Sequence, residues 1–239
     1  MQVIQPQKFK AEVLKVSRAS PTVCLLDLST KNAQNFDFVP GQFVMVHMEV
    51  DGKKINKSYS IVSPHNGKNK IELCIKEVPL GHVSRRLCTL QKGDELEISG
   101  PFGLFTLKMP LQRDIVFAAT GTGISSVKSM IESIFEKGTD KEIWLLFGVR
   151  NQNEILYFDD FEFLAKRYPN FHFVPILSQS SPEWQREKGY VQDHLLKFIK
   201  EPNNFDIYIC GVIKSVDDIK MAAEKMGFQK EQIHFEKYV

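Results

Sequence analysis

The sequence has no apolar run long enough to span a bilayer, and its first residues, MQVIQPQKFKAEVL, lack the apolar core of a signal peptide. It also lacks an excess of either charge, because 31 basic and 29 acidic residues leave a net charge of +2. These absences give no case for membrane insertion, for nucleic acid as a partner or for an anionic surface. The cytoplasm is therefore the expected compartment.

Cysteine is scarce, and no two of the four cysteines stand at the spacing of metal ligands. Together with six scattered histidines, this predicts no metal site and no iron–sulfur cluster carried by the chain. Disulfides are not expected in a reducing compartment. The sequence therefore predicts that three of the four are small buried apolar residues. The four are Cys24, Cys74, Cys88 and Cys210.

The two halves of the chain follow different patterns. Residues 8–108 consist of short alternating apolar runs separated by turns such as VPG and QKGD, which favours an antiparallel barrel or sandwich. From about residue 111, apolar runs alternate with helical patterns, which predicts a doubly wound parallel sheet. The helices are expected near 124–137, 157–168, 190–199 and 215–226. We therefore predict two domains, an antiparallel β-barrel over 1–108 and an α/β domain over 109–239.

The stretch DIVFAATGTGISSVKSMI, residues 114–131, predicts a strand, a glycine turn and a helix. Gly121 and Gly123 stand where a tight turn needs residues without a Cβ atom. Such a turn collects backbone N–H groups and the positive end of a helix dipole at one place, which favours phosphate. A dinucleotide fingerprint carries a third small residue where Ser126 stands, so a turn without a ligand is the alternative.

Seven motifs occur in a fixed order along the chain. They are PGQFV (40–44), KSYSIVS (57–63), GHVS (81–84), GPFG (100–103), TGTGI (120–124), LLFGVRNQNEILY (145–157) and CG (210–211). Through these motifs nearly the whole chain resembles the ferredoxin–NAD(P)H reductase family of flavoprotein reductases. The resemblance implies that the barrel holds FAD and that the α/β domain holds NADH or NADPH.

The resemblance also implies roles for residues of the barrel. Tyr59 would stack on the isoalloxazine ring, and the Ser60 hydroxyl would reach the flavin N5 edge. Lys57 stands where the family usually has arginine against the pyrophosphate, and it keeps the charge without the bidentate fork. The remaining predicted flavin ligands, through main chain or hydroxyl, are Cys74, Ile75, Lys76, Gly81, His82, Val83 and Ser84. From the residues alone, Tyr59 as a core aromatic, Lys57 as a solvated lysine and Ser84 as a helix cap are the alternatives.

In the α/β domain, the resemblance implies that four residues of the turn, Thr120, Gly121, Thr122 and Gly123, cradle the dinucleotide pyrophosphate, with Arg150 near the phosphates. Ser125 and Ser126 stand where the family commonly has a small residue and proline. Cys210 and Gly211 would lie near the nicotinamide, with Cys210 as a polarisable spacer.

The chain's last predicted strand carries two further candidates. By resemblance, Glu236 would relay protons or orient the nicotinamide, and Tyr238 would stack on the flavin. A solvent-facing final strand is the alternative. The predicted catalytic residues are thus Ser60, Cys210 and Glu236.

The choice between NADH and NADPH depends on the residues expected around the adenosine. Ser178, Lys188 and Tyr190 match relatives that bind NADPH, but neutral Gln179 stands where those relatives carry arginine. Because a missing bidentate cation weakens phosphate recognition, NADH is favoured.

The function implied by the resemblance is transfer of a hydride from the nicotinamide to FAD, followed by electron transfer to a separate acceptor. The expected acceptor is a ferredoxin, a flavodoxin or an oxygenase component, and the chain is expected to be a monomer. Basic residues at Lys53, Lys54, Arg85 and Arg86 would steer an acidic partner. The alternatives are a free flavin reductase, an electron-transfer subunit of a larger dehydrogenase and a non-catalytic nucleotide-binding module.

Overall fold

A computed structural model describes residues 5–33, 36–50, 52–65, 67 and 69–238 of the chain. Contacts between Cα atoms divide the chain into two compact units. The first comprises Met1–Leu107 with Lys128–Lys137, and the second comprises Lys108–Val127 with Gly138–Val239. One helix therefore contributes residues to both units.

The first unit is built on an antiparallel sheet. Its elements are β1 Gln7–Ser20, β2 Val23–Ser29, β3 Phe43–Val50, β4 Lys53–Ser60, β5 Lys70–Lys76, helix α1 His82–Cys88 and β6 Glu95–Phe102. The strand order is β4-β3-β6-β1-β2-β5, and neighbouring strands are antiparallel. Ile61, just after β4, bridges Leu73 of β5, so the two ends of the sheet meet. The predicted antiparallel barrel is confirmed.

The barrel core is formed by the inward-facing residues of these strands. Leu26, Leu28, Val44, Val46 and Ile98 have no exposed surface. Each such aliphatic side chain contributes about 1.5–3 kcal/mol when it is fully removed from water. This core fixes the positions of β4, β5 and α1, which carry the predicted flavin ligands.

The structure corrects the expectation for two of the cysteines. Cys24 of β2 and Cys88, at the end of α1, form a disulfide with their Cα atoms 5.7 Å apart. The expectation of no disulfide is therefore wrong for this pair. α1 packs against β2 and β5, and this brings together two residues 64 positions apart, a contact that spacing along the chain does not reveal. Cys74 and Cys210 are buried, as predicted, and lie outside this disulfide.

The second unit is built on a parallel sheet. Its elements are β7 Asp114–Thr120, α2 Ile124–Lys137, β8 Ile143–Val149, α3 Phe158–Arg167, β9 Phe171–Leu177, β10 Glu187–Lys188, α4 Val191–Phe198, β11 Phe205–Val212, α5 Ile213–Met226 and β12 Ile233–Tyr238. The strand order is β10-β9-β8-β7-β11-β12, and every pair is parallel. The predicted α/β sheet and its four helices are confirmed. The order reverses at β7, which lies between β8 and β11, and such a switch point is where ligands bind in open α/β sheets.

The apolar residues of α2 are buried as its spacing predicts, but its serines are buried too. Ser125 donates to the Thr122 carbonyl at 2.8 Å, and Ser129 donates to the Ser63 carbonyl at 2.9 Å. Ser126 bonds to β12 instead. Buried hydroxyl groups are expected to be hydrogen-bonded. The partners of these serines therefore identify segments that bind α2.

Within the described ranges, no helix combines the length and the apolar character that crossing a membrane requires.

Candidate dinucleotide and flavin sites

The glycine turn lies between the end of β7 and the start of α2. Residues 121–123 form a single 3-10 turn, and the Ile124 N–H closes it on the Gly121 and Thr122 carbonyls. Gly121 has a φ angle of 54°, in the left-handed region, and a Cβ atom there would meet nothing within 4 Å. The turn therefore needs glycine at this position for its backbone conformation, and the face beside Gly121 is open.

Two other glycines join the turn to β11 at the carboxyl edge of the sheet. A Cβ atom on Gly123 would lie 2.4 Å from the Cys210 carbonyl oxygen. A Cβ atom on Gly211 would lie 2.0 Å from Thr120 Oγ1. The sequence motifs TGTG and CG thus meet because both strands end in residues small enough for close backbone contact.

Thr120 Oγ1 is a buried hydroxyl oxygen for which the described part of the chain offers no hydrogen-bond partner. A buried polar group left in this state costs about 1–3 kcal/mol. The predicted pyrophosphate cradle therefore contains a polar atom that a ligand would satisfy, beside an open glycine. Both features fit a bound dinucleotide.

Four side chains meet at the carboxyl ends of β11 and β12. Ser126 Oγ lies 3.4 Å from Glu236 Oε2 and 3.0 Å from the Tyr238 hydroxyl oxygen. Cys210 is the partner of Glu236 in the β11–β12 register, and the hydroxyl groups of Tyr238 and Ser126 lower the pKa of its thiol against the effect of burial. The structure therefore brings together Cys210, Glu236 and Tyr238, and it adds Ser126 to them.

Burial controls the protonation of this cluster. It raises the pKa of the Cys210 thiol well above the usual range, and the nearby Glu236 carboxylate raises it further. Burial also raises the pKa of Glu236 to about 7, while the hydrogen bond from Ser126 opposes that shift. Cys210 is thus a neutral thiol, in agreement with a spacer rather than a nucleophile, and Glu236 titrates near neutral pH.

The residues predicted at the adenosine end also lie side by side. The Gln179 N–H donates to the Arg150 carbonyl at 2.7 Å, and the Gly189 N–H donates to the Leu177 carbonyl at 2.9 Å. These bonds hold Gln179 beside Arg150, and hold Gly189, which precedes Tyr190, beside Leu177, which precedes Ser178. The side chains of Arg150, Gln179 and Tyr190 are exposed.

The arginine nearest in sequence to this group is engaged elsewhere. Arg186 pairs with Glu162 at 2.6 Å and lies over the Phe158 ring, so its guanidinium is held at α3. Among the residues predicted at the adenosine end, Arg150 and Lys188 are exposed cations, and neither forms an ion pair within the described residues.

In the barrel unit, the flavin candidates of β4 are arranged by its pairing with β3. Tyr59 is the partner of Val44 and Ser60 is the partner of Phe43. Tyr59 is half-buried against the barrel core, and burial raises its pKa to about 12, which keeps the phenol protonated. Ser60 is buried, whereas Lys57 is exposed. Tyr59 is therefore packed against the barrel core and still partly accessible.

The loop before α1 is closed by Ser84. Its hydroxyl accepts the Val78 N–H at 3.1 Å and donates to the Gly81 carbonyl at 3.2 Å. The N-cap residue of α1 is Gly81, and no side chain caps the helix there, so the interpretation of Ser84 as a helix cap is wrong. Within this loop and helix, His82 is exposed and Val83 is buried.

The third group of flavin candidates lies on β5. Cys74 and Ile75 are buried and Lys76 is exposed. All three pair with β2, where the partner of Ile75 is Cys24, one half of the disulfide.

Sequence reasoning assigned no partner to Ser126. The available signal was a serine where the family commonly has proline, but its partners lie 110 and 112 positions away on β12. Among the described residues, no group of three or more His, Cys, Asp or Glu side chains is placed to hold a metal ion.

Two family models match the chain, an oxidoreductase FAD-binding domain over residues 10–107 and an oxidoreductase NAD-binding domain over residues 117–220. Ferredoxin–NADP reductase B of Sorangium cellulosum is 30% identical over 99% of this chain and 100% of its own length. The electron transfer component of anthranilate 1,2-dioxygenase from Acinetobacter baylyi is 28% identical over 97% of this chain and 67% of its own. The crystal structure of the Amycolatopsis cytochrome P450 reductase GcoB has the same fold, with a TM-score of 0.88, 24% identity and coverage of 97% of this chain and 70% of that one.

The fold and these matches define a flavin- and nicotinamide-dependent oxidoreductase of two domains. The chain belongs to the ferredoxin–NAD(P)H reductase family. It uses FAD and NAD(P)H, and it passes electrons from the nicotinamide through the flavin to a separate acceptor.

Proposed function

We propose that the chain keeps FAD bound in its barrel unit, prefers NADH as reductant and delivers electrons to a separate redox protein. The single observation that supports the nicotinamide side is the glycine turn, with its open face at Gly121 and a Thr120 hydroxyl that has no hydrogen-bond partner among the described residues. The predicted domain limits, 1–108 for FAD and 109–239 for the nicotinamide, are part of this proposal.

On the nicotinamide side, the backbone of Thr120, Gly121, Thr122 and Gly123 binds the pyrophosphate. Arg150 supplies a cation, since its side chain is exposed beside Gln179. Ser178, Gln179 and Tyr190 bind the adenosine end. Cys210 and Gly211 border the nicotinamide. The neutral thiol of Cys210 supplies a polarisable surface there and does not act as a nucleophile.

The preference for NADH rests on Gln179. The extra phosphate of NADPH carries up to two negative charges, and Gln179 offers no charge to it. Arg186 does not replace the missing cation, because Glu162 holds its guanidinium. A Gln179→Arg variant should raise kcat/KM for NADPH about tenfold, the effect of one charge-assisted hydrogen bond, and should change that for NADH much less.

On the flavin side, bound FAD would supply the hydride acceptor and the store from which electrons leave. Tyr59 stacks on the isoalloxazine and Ser60 hydrogen-bonds at its N5 edge. Lys57 and the backbone of Gly81, His82, Val83 and Ser84 hold the pyrophosphate. The Ser84 proton is already donated to Gly81, so Ser84 acts there through its N–H. The main chain of Cys74, Ile75 and Lys76 lines the flavin.

Three residues carry the catalytic proposal. Ser60 holds a proton at the N5 edge, Cys210 spaces the nicotinamide, and Glu236 holds or releases a proton near neutral pH. Tyr238 supplies a ring that stacks on the flavin, and its hydroxyl is held by Ser126.

The acceptor is proposed to be a ferredoxin, a flavodoxin or an oxygenase component, with the chain a cytoplasmic monomer. Lys53 and Lys54 are exposed and suit an acidic partner, as does Arg86. Arg85 is less available, because Glu77 lies 4.0 Å from it.

A free flavin reductase is the second candidate function. It is favoured by the exposure of Lys57, which replaces a bidentate arginine and so weakens the hold on the pyrophosphate.

One experiment tests the proposal against that candidate. The purified protein is dialysed and titrated anaerobically with NADH and with NADPH, and a panel of ferredoxins and flavodoxins is then added. Retained yellow colour that bleaches with NADH and returns with a carrier supports the proposal. Loss of flavin on dialysis with turnover of added FAD or FMN supports the free flavin reductase, and a stronger response to NADPH overturns the proposed preference.

A further inference from the structure

The Ser126 hydroxyl lies between Glu236 and Tyr238 in the cluster at the ends of β11 and β12. It lies 3.4 Å from Glu236 Oε2 and 3.0 Å from the Tyr238 hydroxyl, and it lowers the pKa of the Cys210 thiol against the effect of burial. Ser126 has no exposed surface. Its position on the first turn of α2, directly after the glycine turn, ties the last strand to that turn.

A serine hydroxyl has one proton to donate, and this restricts the arrangement of the cluster. When Glu236 is ionised, its carboxylate is the strongest acceptor, so Ser126 donates to Glu236 and the Tyr238 hydroxyl donates to Ser126. When Glu236 is protonated, its hydroxyl donates to Ser126, and Ser126 donates to Tyr238 or to the Cys210 sulfur. The direction of the Tyr238 hydroxyl therefore follows the protonation of Glu236 through the Ser126 oxygen.

The other elements packed against β12 leave this coupling undisturbed. On α5, Asp217 pairs with Lys237 at 2.6 Å and Lys220 lies over the Phe235 ring. Both α5 residues therefore contact the sequence neighbours of Glu236 in β12. On β11 the titratable neighbour is Cys210, which is a neutral thiol. Within the described part of the chain, Glu236 has no ion pair, so its hydrogen bond to Ser126 is what opposes the effect of burial.

We propose that Ser126 is a positioning residue: it holds the Glu236 carboxyl at the dinucleotide turn and transmits the protonation state of Glu236 to the Tyr238 hydroxyl. This inference deepens the proposed function and rests on it for the catalytic meaning of Glu236, but not for the coupling itself. A residue here without a hydroxyl, such as proline or alanine, removes the link.

The coupling is measured without catalysis, by carbon-13 NMR of the full chain labelled at the glutamate carboxyl and tyrosine Cζ carbons. Signals of Glu236 and Tyr238 are assigned by their loss in Glu236→Gln and Tyr238→Phe. We expect both signals to titrate with one midpoint near pH 7 in the unaltered protein. In Ser126→Ala the Glu236 midpoint should rise by about one pH unit, and the Tyr238 signal should no longer follow it.

Two further variants separate positioning from general destabilisation. Ser126→Thr keeps the hydroxyl and should keep the shared midpoint, whereas Ser133→Ala removes another buried serine hydroxyl from α2 and should change neither signal. An unchanged Glu236 midpoint in Ser126→Ala, or a Tyr238 signal that still follows Glu236 there, overturns the inference.

The same variants then separate this inference from the proposed function. Flavin reduction by NADH is followed by stopped flow from pH 5.5 to 9, and the Ser126→Ala profile should shift upward together with the NMR midpoint. If Glu236→Gln reduces flavin at the unaltered rate across that range, the proposed catalytic role of Glu236 fails while the coupling through Ser126 stands. If the NMR coupling is absent but the rate still depends on Glu236, the coupling through Ser126 fails while the proposed catalytic role of Glu236 stands.

Discussion

Gly121 and Gly123 stand two positions apart in one turn, but they are required for different reasons. Gly121 adopts a left-handed φ with open space around it, whereas a Cβ atom on Gly123 would lie 2.4 Å from a backbone oxygen of β11. The first requirement is conformational and the second is steric. Both bear on the same cradle, so they can be separated by measuring stability as well as binding.

We predict that Gly123→Ala lowers the free energy of unfolding by about 3 kcal/mol, because rigid backbone on both sides prevents relief of the contact. Gly121→Ala should lower it by about 1–2 kcal/mol, the cost of a left-handed alanine. Urea unfolding of both variants, fitted with equal slopes, makes the comparison. Equal losses, or a larger loss for Gly121→Ala, would contradict the structural distinction.

The raised pKa of Glu236 predicts a dependence of stability on pH. The folded value is about 7 against an ordinary value of 4.5, so between these the folded state binds more protons than the unfolded state. The contribution of Glu236 to the free energy of unfolding is therefore greatest below pH 4.5, falls as the pH rises toward 7 and is constant above it. The difference between the unaltered protein and Glu236→Gln, measured by urea unfolding at several pH values, should decline over this window. A flat difference would show that Glu236 ionises in the folded protein as it does in water.

At the scale of single elements, local patterns predicted most of the structure. The helix expected over 124–137 forms over Ile124–Lys137, because its apolar spacing and the glycines before it act within a few residues. What the sequence did not indicate are contacts between distant residues: Ser126 with β12, and Cys24 with Cys88. Each depends on which strands become neighbours, and local periodicity carries no information on that.

Helix α1 is held at its end by the Cys24–Cys88 disulfide and at its start by the loop that Ser84 closes. A cross-link that closes a loop of this size stabilises a protein by about 4 kcal/mol through the unfolded chain. We predict that reductant lowers the free energy of unfolding of the unaltered protein by a few kcal/mol. The Cys24→Ala/Cys88→Ala variant should be less stable from the outset and insensitive to reductant.

Alkylation of the unfolded protein provides the direct check on this bond. Without reductant, label should reach Cys74 and Cys210 alone, and after reduction it should reach all four cysteines. Labelling of four cysteines in protein that was never reduced would show that the bond is absent.

At the scale of the whole molecule, the candidate pyrophosphate ligands of the two cofactors fall on separate units of the chain. Lys57 and residues 81–84 belong to the first unit, and residues 120–123 of the glycine turn belong to the second. A change in one of these two groups should therefore leave the affinity for the other cofactor unaltered, since groups that share no partner contribute additively.

This separation leads to a prediction for Lys57 and Gly123. Lys57→Ala should weaken FAD binding about tenfold by removing one charge-assisted contact, and Lys57→Arg should strengthen it by restoring the bidentate fork. Neither should change the affinity for a non-reducible nicotinamide dinucleotide at saturating FAD, whereas Gly123→Ala should weaken that affinity and leave FAD binding intact. Flavin fluorescence and calorimetric titration measure the two affinities, with exposed Lys15→Ala as the control for loss of a surface lysine. If Gly123→Ala releases FAD, or if Lys57→Ala weakens both cofactors by the same factor, the assignment of one pyrophosphate to each unit is wrong.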